Sequence, residues 1–266
     1  MKRGLGPLET TFFAYIQMRG MRTVRSGELL RPLSLTEWQE RKILSRLCGA
    51  GLIARVRRGV YLVPPRLPVG GKWSPDEMLA LNALMEDTKA LYQICGPSAF
   101  SYHGFDEQIP LRVYAYNNRM FGDRAIGRVE ITLIRVADTR LGDTEELVRP
   151  DGLRLPYSSR IRTLVDAVYD WSRFGSLPRA FAWIRKDLAY GRISSQALAE
   201  SALRYGNTGT VRRIGALLER EGAEEDVLRR LEKSLRPTKG AIPLDPGCPK
   251  RGTLIRRWGV VENESV

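Results

Sequence analysis

Nine side chains between positions 38 and 58 could do chemistry together: Trp38, Gln39, Arg41, Lys42, Ser45, Arg46, Arg55, Arg57 and Arg58. Guanidinium and ammonium groups neutralise phosphate, and arginine also fits the acceptor pair of guanine as glutamine fits adenine. A basic set with an interleaved aromatic therefore points to double-stranded DNA rather than to a bond-making reaction. The rival chemistry is weaker. His103 is the single histidine, with Ser98 and Ser101 before it and Asp106 after it. However, Gly96-Pro97-Ser98-Ala99 lacks the G-x-S-x-G elbow of a serine nucleophile, so His103 reads as a structural or interface residue and no catalytic residue is expected. Cys48, Cys95 and Cys248 are widely spaced, with no C-x-x-C pair. With one histidine, no zinc or other metal site is expected. Gly4-Leu5-Gly6 and Gly70-Gly71-Lys72-Trp73 do not match a phosphate loop, and no cofactor is expected.

The basic residues need a helix and a hairpin to present them. Ser34, three residues before Glu37, reads as a capping box that starts a helix near Leu35, and Gly49 and Gly51 stop it. At 100° per residue, Thr36, Ile43, Leu44 and Leu47 fall on one side. Trp38, Arg41, Lys42 and Ser45 fall on the other, with Gln39 and Arg46 towards its edge. Leu52 to Val56 then alternates as a strand, Arg57-Arg58-Gly59 turns, and Val60 to Val63 returns. A helix followed at once by a basic hairpin is the arrangement of a winged helix-turn-helix. In it, Gln39, Arg41, Lys42 and Ser45 are candidates for base-edge or phosphate contact. Arg55, Arg57 and Arg58 are candidates for phosphate or the minor groove. Trp38 would either lie beside DNA or cover the second helix.

Charge supports this reading. Residues 1–66 hold 13 Lys and Arg against 4 Asp and Glu, an excess of +9 within a chain whose net charge is +13. Phosphate neutralisation accounts for such concentration. The 266 residues suffice for two domains with a core. Leu8 to Met18 contains Glu9, Thr10, Thr11 and Gln17, unlike a signal-peptide apolar region, and no run of 18 apolar residues occurs. With unpaired cysteines, these features give an expectation of a cytoplasmic protein that meets no membrane.

In chain order, Leu8 to Met18 reads as the first helix, ended by Gly20, and Val24 to Leu30 as a short second helix. Pro64 to Gly71 is a linker that closes a DNA-binding domain of 1–66. Ser74 caps a helix with Pro75 at its first position, running to about Glu86. Residues 67–156 then read as mixed α/β, with a short strand or helix end at Leu91–Cys95, strands at Arg112–Tyr116, Val129–Val136 and Leu153–Leu155, and a short helix from Gly96 to Gly104. From 157 to 235 the helical period returns, and Arg162 and Asp166, four apart, can pair. Arg212-Arg213 and Arg229-Arg230 read as solvated faces. From 236 to 266 proline and glycine interrupt regular structure, giving an extended arm with Trp258 anchored on the body and a short strand at its end. The fold class is therefore α+β: a winged helix-turn-helix, then a mixed α/β domain (67–266) with a helical bundle and a C-terminal arm.

Five stretches taken together carry a resemblance: Arg58-Gly59-Val60-Tyr61; Gly96-Pro97-Ser98-Ala99-Phe100 with His103-Gly104; Ser159-Arg160-Ile161-Arg162-Thr163-Leu164-Val165-Asp166-Ala167; Pro243-Leu244-Asp245-Pro246; and Arg257-Trp258-Gly259-Val260-Val261-Glu262-Asn263. In this order the set resembles the AbiEi family of type IV antitoxins. The resemblance implies an N-terminal winged helix that binds inverted repeats in its own promoter and represses its operon; two inverted half-sites admit a dimer on DNA. It also implies a C-terminal antitoxin part, a nucleotidyltransferase-like toxin as partner, with or without direct contact, and no enzymatic activity. Two alternatives stay open. One is a winged-helix regulator without a toxin partner. The other is a DNA-targeted nuclease, although residues 67–266 show no convincing P-D…(D/E)-x-K core, which counts against it.

Overall fold

The computed structural model describes residues 5–67, 71–236 and 240–263. Lys2, Arg3, Gly4, the Pro68 to Gly70 portion of the linker, Pro237 and residues 264–266 lie outside them. The chain divides into two compact units. The first comprises Met1–Tyr92, Leu111–Asp138 and Val148–Leu155; the second comprises Gln93–Pro110, Thr139–Leu147 and Pro156–Val266.

The first unit begins with α1 (Pro7–Met18), whose buried face is Phe12, Phe13 and Ile16. Proline at the first helical position costs no hydrogen bond. Thr23–Arg25 is a strand, β1, where the sequence suggested the start of a second helix. Val24 is fully buried, and β1 pairs antiparallel with the wing strand β3 (Val60–Leu62), Val24 opposite Tyr61. A β-branched residue on a pleated surface prefers that pairing to a helical turn. Residues 26–34 follow as turns rather than helix. Gly27 takes φ 96°, a left-handed conformation that glycine reaches without strain.

What replaces the second helix is a carboxylate. Glu40 reaches back from the next helix and accepts from the backbone N–H of Gly27 (2.7 Å) and of Leu29 (3.0 Å). Its side chain is buried. Glu40→Ala leaves those two donors unpaired, a loss of about 1.5–3 kcal/mol in unfolding free energy, measurable by urea denaturation.

The next helix, α2, spans Glu37–Gly49. Its cap is Thr36, not Ser34: Thr36 Oγ1 accepts from Gln39 N–H (3.3 Å) and Gln39 Oε1 accepts from Thr36 N–H (2.8 Å). The box is therefore Thr36 with Gln39, two residues later than the sequence expectation. Ser34 instead holds φ 50° in the preceding turn. Ile43, Leu44 and Leu47 bury against Phe12, Phe13, Ile16, Val24, Leu29, Ile53 and Val63 as one core. β2 (Ala54–Arg57) and β3 complete a three-stranded sheet in the order β1-β3-β2. The wing turn is Arg58-Gly59, with Gly59 at φ 79°.

The same unit continues with α3 (Glu77–Thr88), capped by Asp76 rather than Ser74. It also holds β5 (Val113–Asn117), β6 (Gly122–Ile126) and β7 (Val129–Arg135). β5 and β7 run parallel, Ala115 opposite Leu133, and β6 closes as an antiparallel hairpin on β7. The sequence reading missed β6 because Gly-Asp-Arg-Ala-Ile lacks the alternation of a half-buried strand. It is an edge strand with three consecutive exposed residues.

In the second unit Ile94 of β4 (Tyr92–Ile94) pairs in parallel with Tyr157 of β9 (Arg154–Ser158). The unit also holds α4 (Gly96–Tyr102), and β8 (Thr144–Val148) lies next to β9. The helices are α5 (Arg160–Tyr169), the single turn α6 (Trp171–Phe174), α7 (Arg179–Ala189), α8 (Ser195–Tyr205), α9 (Thr208–Arg220) and α10 (Glu225–Ser234). The arm is more regular than expected. β10 (Ile242–Pro243), β11 (Thr253–Ile255) and β12 (Val260–Glu262) form a small sheet. Trp258 is buried and donates to Glu219 Oε2 at 2.9 Å. Gly215 admits it: a Cβ there would stand 2.3 Å from the indole ring. Arg212 and Arg213, read from sequence as solvated, are buried. Arg212 donates to the Trp258 and Gly240 carbonyls (2.6 and 2.9 Å), and Arg213 to those of Pro243 and Leu244 (both 3.2 Å). Periodicity cannot distinguish a guanidinium facing water from one facing chain carbonyls. Among the described residues no helix is long and apolar enough to cross a membrane.

Candidate nucleic-acid interface

The outward side of α2 carries two neighbouring stripes. Glu37, Arg41 and Ser45 are four residues apart, as are Trp38 and Lys42, so each set lines up along the helix. Trp38 is 64% exposed, and the Lys42 ammonium lies 4.5 Å from the centre of its ring. That contact holds the indole and the cation side by side on the surface.

Across from the first stripe stands the wing. Glu37, Arg41 and Ser45 of α2, together with Arg55, Arg58 and Tyr61 of the wing, line a groove of about 620 Å³. Arg41, Arg55 and Arg58 have no ion pair or hydrogen bond among the described residues. Three guanidiniums held on one groove without a carboxylate partner keep their donors available for an external anion.

The other sequence-selected residues are partly engaged. The Arg46 guanidinium lies 2.6 Å from a carboxylate oxygen of Glu9, whose other oxygen accepts from Gly6 N–H at 2.7 Å. The amide oxygen of Gln39 is committed to the α2 cap. Arg57 points to α3 and forms a close ion pair with Asp87. Arg25 of β1 reaches the other oxygen of the same carboxylate at 2.5 Å. The register slip between Arg55 and Arg57 aims neighbouring wing arginines differently.

Asp87 is thus a buried acceptor for two arginines that are themselves about half exposed. Burial raises its carboxyl pKa, but Arg57 and Arg25 outweigh that effect and hold it below its ordinary 3.8. The resulting stabilisation is fully present above that value and is lost as the pH falls through the lower folded value. Asp87→Asn releases both guanidiniums at neutral pH. The expected result is tighter binding to random duplex and a log–log salt slope steeper by up to about 2, as two more phosphates are neutralised. Fluorescence anisotropy over a salt series measures both. An unchanged slope would show that the arginines cannot reach DNA.

In the second unit, the His103 Nε2 lies 2.8 Å from the Ser158 carbonyl oxygen, and burial lowers its pKa. Asp106 is paired with Arg179 at 2.7 Å, so the structure gives it a partner other than the histidine. Among the described residues no group of three His, Cys, Asp or Glu side chains is placed to hold a metal ion.

The helix, the three-stranded wing and the groove between them have the arrangement of a winged helix-turn-helix. Residues 14–64 match the family described as transcriptional regulator, AbiEi antitoxin, which bears out the resemblance seen in the sequence. No curated protein sequence matches the chain. The crystal structure of the RV2827C protein from Mycobacterium tuberculosis has a similar fold, with a TM-score of 0.62 at 15% identity, covering 97% of this chain and 92% of that one. At that identity the likeness speaks for the fold alone.

Two residues of the interface escaped the sequence reading. Glu37 lies four before Arg41, a spacing that could have placed it on the same stripe. Asp87 lies 30 residues from Arg57 and 62 from Arg25, and no local pattern links them.

Proposed function

We propose that the protein is an antitoxin and autorepressor. Its winged helix occupies inverted repeats in the promoter of its own operon, and the rest of the chain neutralises a nucleotidyltransferase-like toxin encoded beside it. The reading assigns no catalysis. It is carried by one observation: Arg41, Arg55 and Arg58 converge on one groove of the winged helix without partners among the described residues. The family match over residues 14–64 supports the antitoxin part. α2 would enter the major groove, with the wing on the flanking backbone. Two protomers would sit on half-sites about 10 bp or a multiple apart.

The test uses the full-length chain, because residues 67–92 share a compact unit with the winged helix and a cut after residue 66 would divide it. Binding to duplex from upstream of the operon should show a log–log salt slope steeper than about −2. Co-expression with the neighbouring gene should restore growth that the neighbour alone arrests. A shallow slope counts against groove binding. A harmless neighbour removes the antitoxin reading and leaves a regulator without a toxin.

A further inference from the structure

Glu37 opens α2 and lines the same groove as Arg41, Ser45, Arg55 and Arg58. It is exposed, and no hydrogen bond or ion pair engages its carboxylate among the described residues. The other carboxylate lining that groove, Glu40, is buried and spent on the Gly27 and Leu29 amides. Glu37 is therefore the free acidic group on a surface otherwise shaped for phosphate.

A carboxylate only accepts hydrogen bonds, so phosphate cannot satisfy it and repels it. The donors a major groove offers are the N4 amino group of cytosine and the N6 amino group of adenine. Adenine carries the acceptor N7 beside its amino group, and N7 would face a carboxylate with like polarity. Cytosine presents its amino group without an adjacent acceptor. We infer that Glu37 is a specificity-determining residue that accepts from the N4 amino group of a cytosine, while Arg41, one turn on, donates to a guanine. Four residues of helix rise about 6 Å, close to two base-pair steps of about 3.4 Å. The cytosine and the guanine should therefore lie within about two base pairs of each other.

This inference rests on the DNA-binding reading above, and the experiment separates the two. The full-length chain and its E37Q variant are each used to select duplexes from a randomised pool, and the enriched sequences are compared. Thermal melts of both proteins establish that E37Q is folded. For the wild type, one position near a guanine should prefer C·G by about tenfold. In E37Q that preference should shift from C·G towards A·T while the rest of the site is retained, because an amide both donates and accepts and so fits the N6 and N7 pair of adenine. Affinity of E37Q for random duplex should rise, since a repelling charge is gone. Identical enriched sequences for the two proteins, or a cytosine preference that survives in E37Q, overturn the role of Glu37 and leave DNA binding intact. No enrichment by the wild type overturns the DNA-binding reading itself. A second variant, E37A, removes the acceptor altogether and should lose the same preference.

Discussion

Arg41→Ala with Arg58→Ala in the full-length chain should weaken binding to promoter duplex by about 100-fold. The two changes act by different physics. Arg41 stands on the helix stripe that would face base edges in the proposed docking, where one well-formed pair is worth about 1–3 kcal/mol of discrimination, so its loss should relax the choice of sequence. Arg58 stands at the wing tip, where a phosphate contact weakens all sequences alike and its loss flattens the salt slope by about one. Anisotropy titrations of each single variant against promoter and random duplex resolve the two effects. The controls are Arg46→Ala and Arg57→Ala. These side chains are held by Glu9 and Asp87, so each should cost less than about threefold, against roughly tenfold or more for Arg41 or Arg58 alone. If Arg46→Ala costs as much as Arg41→Ala, partner-free geometry is not what selects the contact residues.

The second large effect concerns the interior of the second unit. Arg162 is fully buried and bonds the equally buried Asp166 at 2.9 Å. Arg140 approaches the same oxygen at 2.8 Å. Arg162 also donates to the carbonyls of Arg140 (2.7 Å) and Gly142 (3.3 Å), and its guanidinium lies 3.9 Å from the centre of the Tyr205 ring. Arg162→Ala leaves a buried carboxylate half-compensated and two carbonyls without their donor. Breaking such a pair costs about 3–5 kcal/mol. For a chain of this size that lowers the melting temperature by about 10 °C. Replacing both partners together, Arg162→Met with Asp166→Leu, should recover part of the loss, because no carboxylate is then stranded, although Arg140 loses its acidic partner. Calorimetry of the two variants decides it. A double variant as unstable as the single one would show that the carbonyl contacts of Arg162 and the pairing of Arg140 with Asp166, not the Arg162–Asp166 charge pair alone, set the cost.

Promoter binding and unfolding thus probe different parts of the molecule. Arg41, Arg55 and Arg58 contribute nothing visible to the interior and are expected to be neutral in melts. Arg162 is remote in kind from the groove and is expected to act through stability alone. Glu40 lies between these cases. Its carboxylate is interior, yet it holds the turn that sets α2 in place, so Glu40→Ala should reduce both stability and affinity.

The sequence by itself determined the features that depend on neighbours a few residues away. The apolar stripe of Ile43, Leu44 and Leu47, the Arg58-Gly59 turn and the Arg162–Asp166 pair all follow from helical or strand period over one or two turns. For the same reason the winged helix and its basic face were legible: α2, β2 and β3 are contiguous, and their charge needs no distant partner to be counted. Where the reading slipped by two residues, as at Thr36 and Asp76, two acceptable caps lay close together and only the packed helix chose between them. Val24 to Leu30 failed as a helix because a strand partner 37 residues on, at Tyr61, and a carboxylate at Glu40 offered the backbone better bonds. Arg212 and Arg213 were misplaced because chain carbonyls some 30 to 50 residues away replaced water. Tertiary structure alone decided which cations of the basic face remain available. Glu9 holds Arg46 and Asp87 holds Arg57, while Arg41, Arg55 and Arg58 meet no carboxylate among the described residues. A guanidinium's partner is fixed by distance in space, and one-dimensional spacing carries that distance only along a single helix or hairpin.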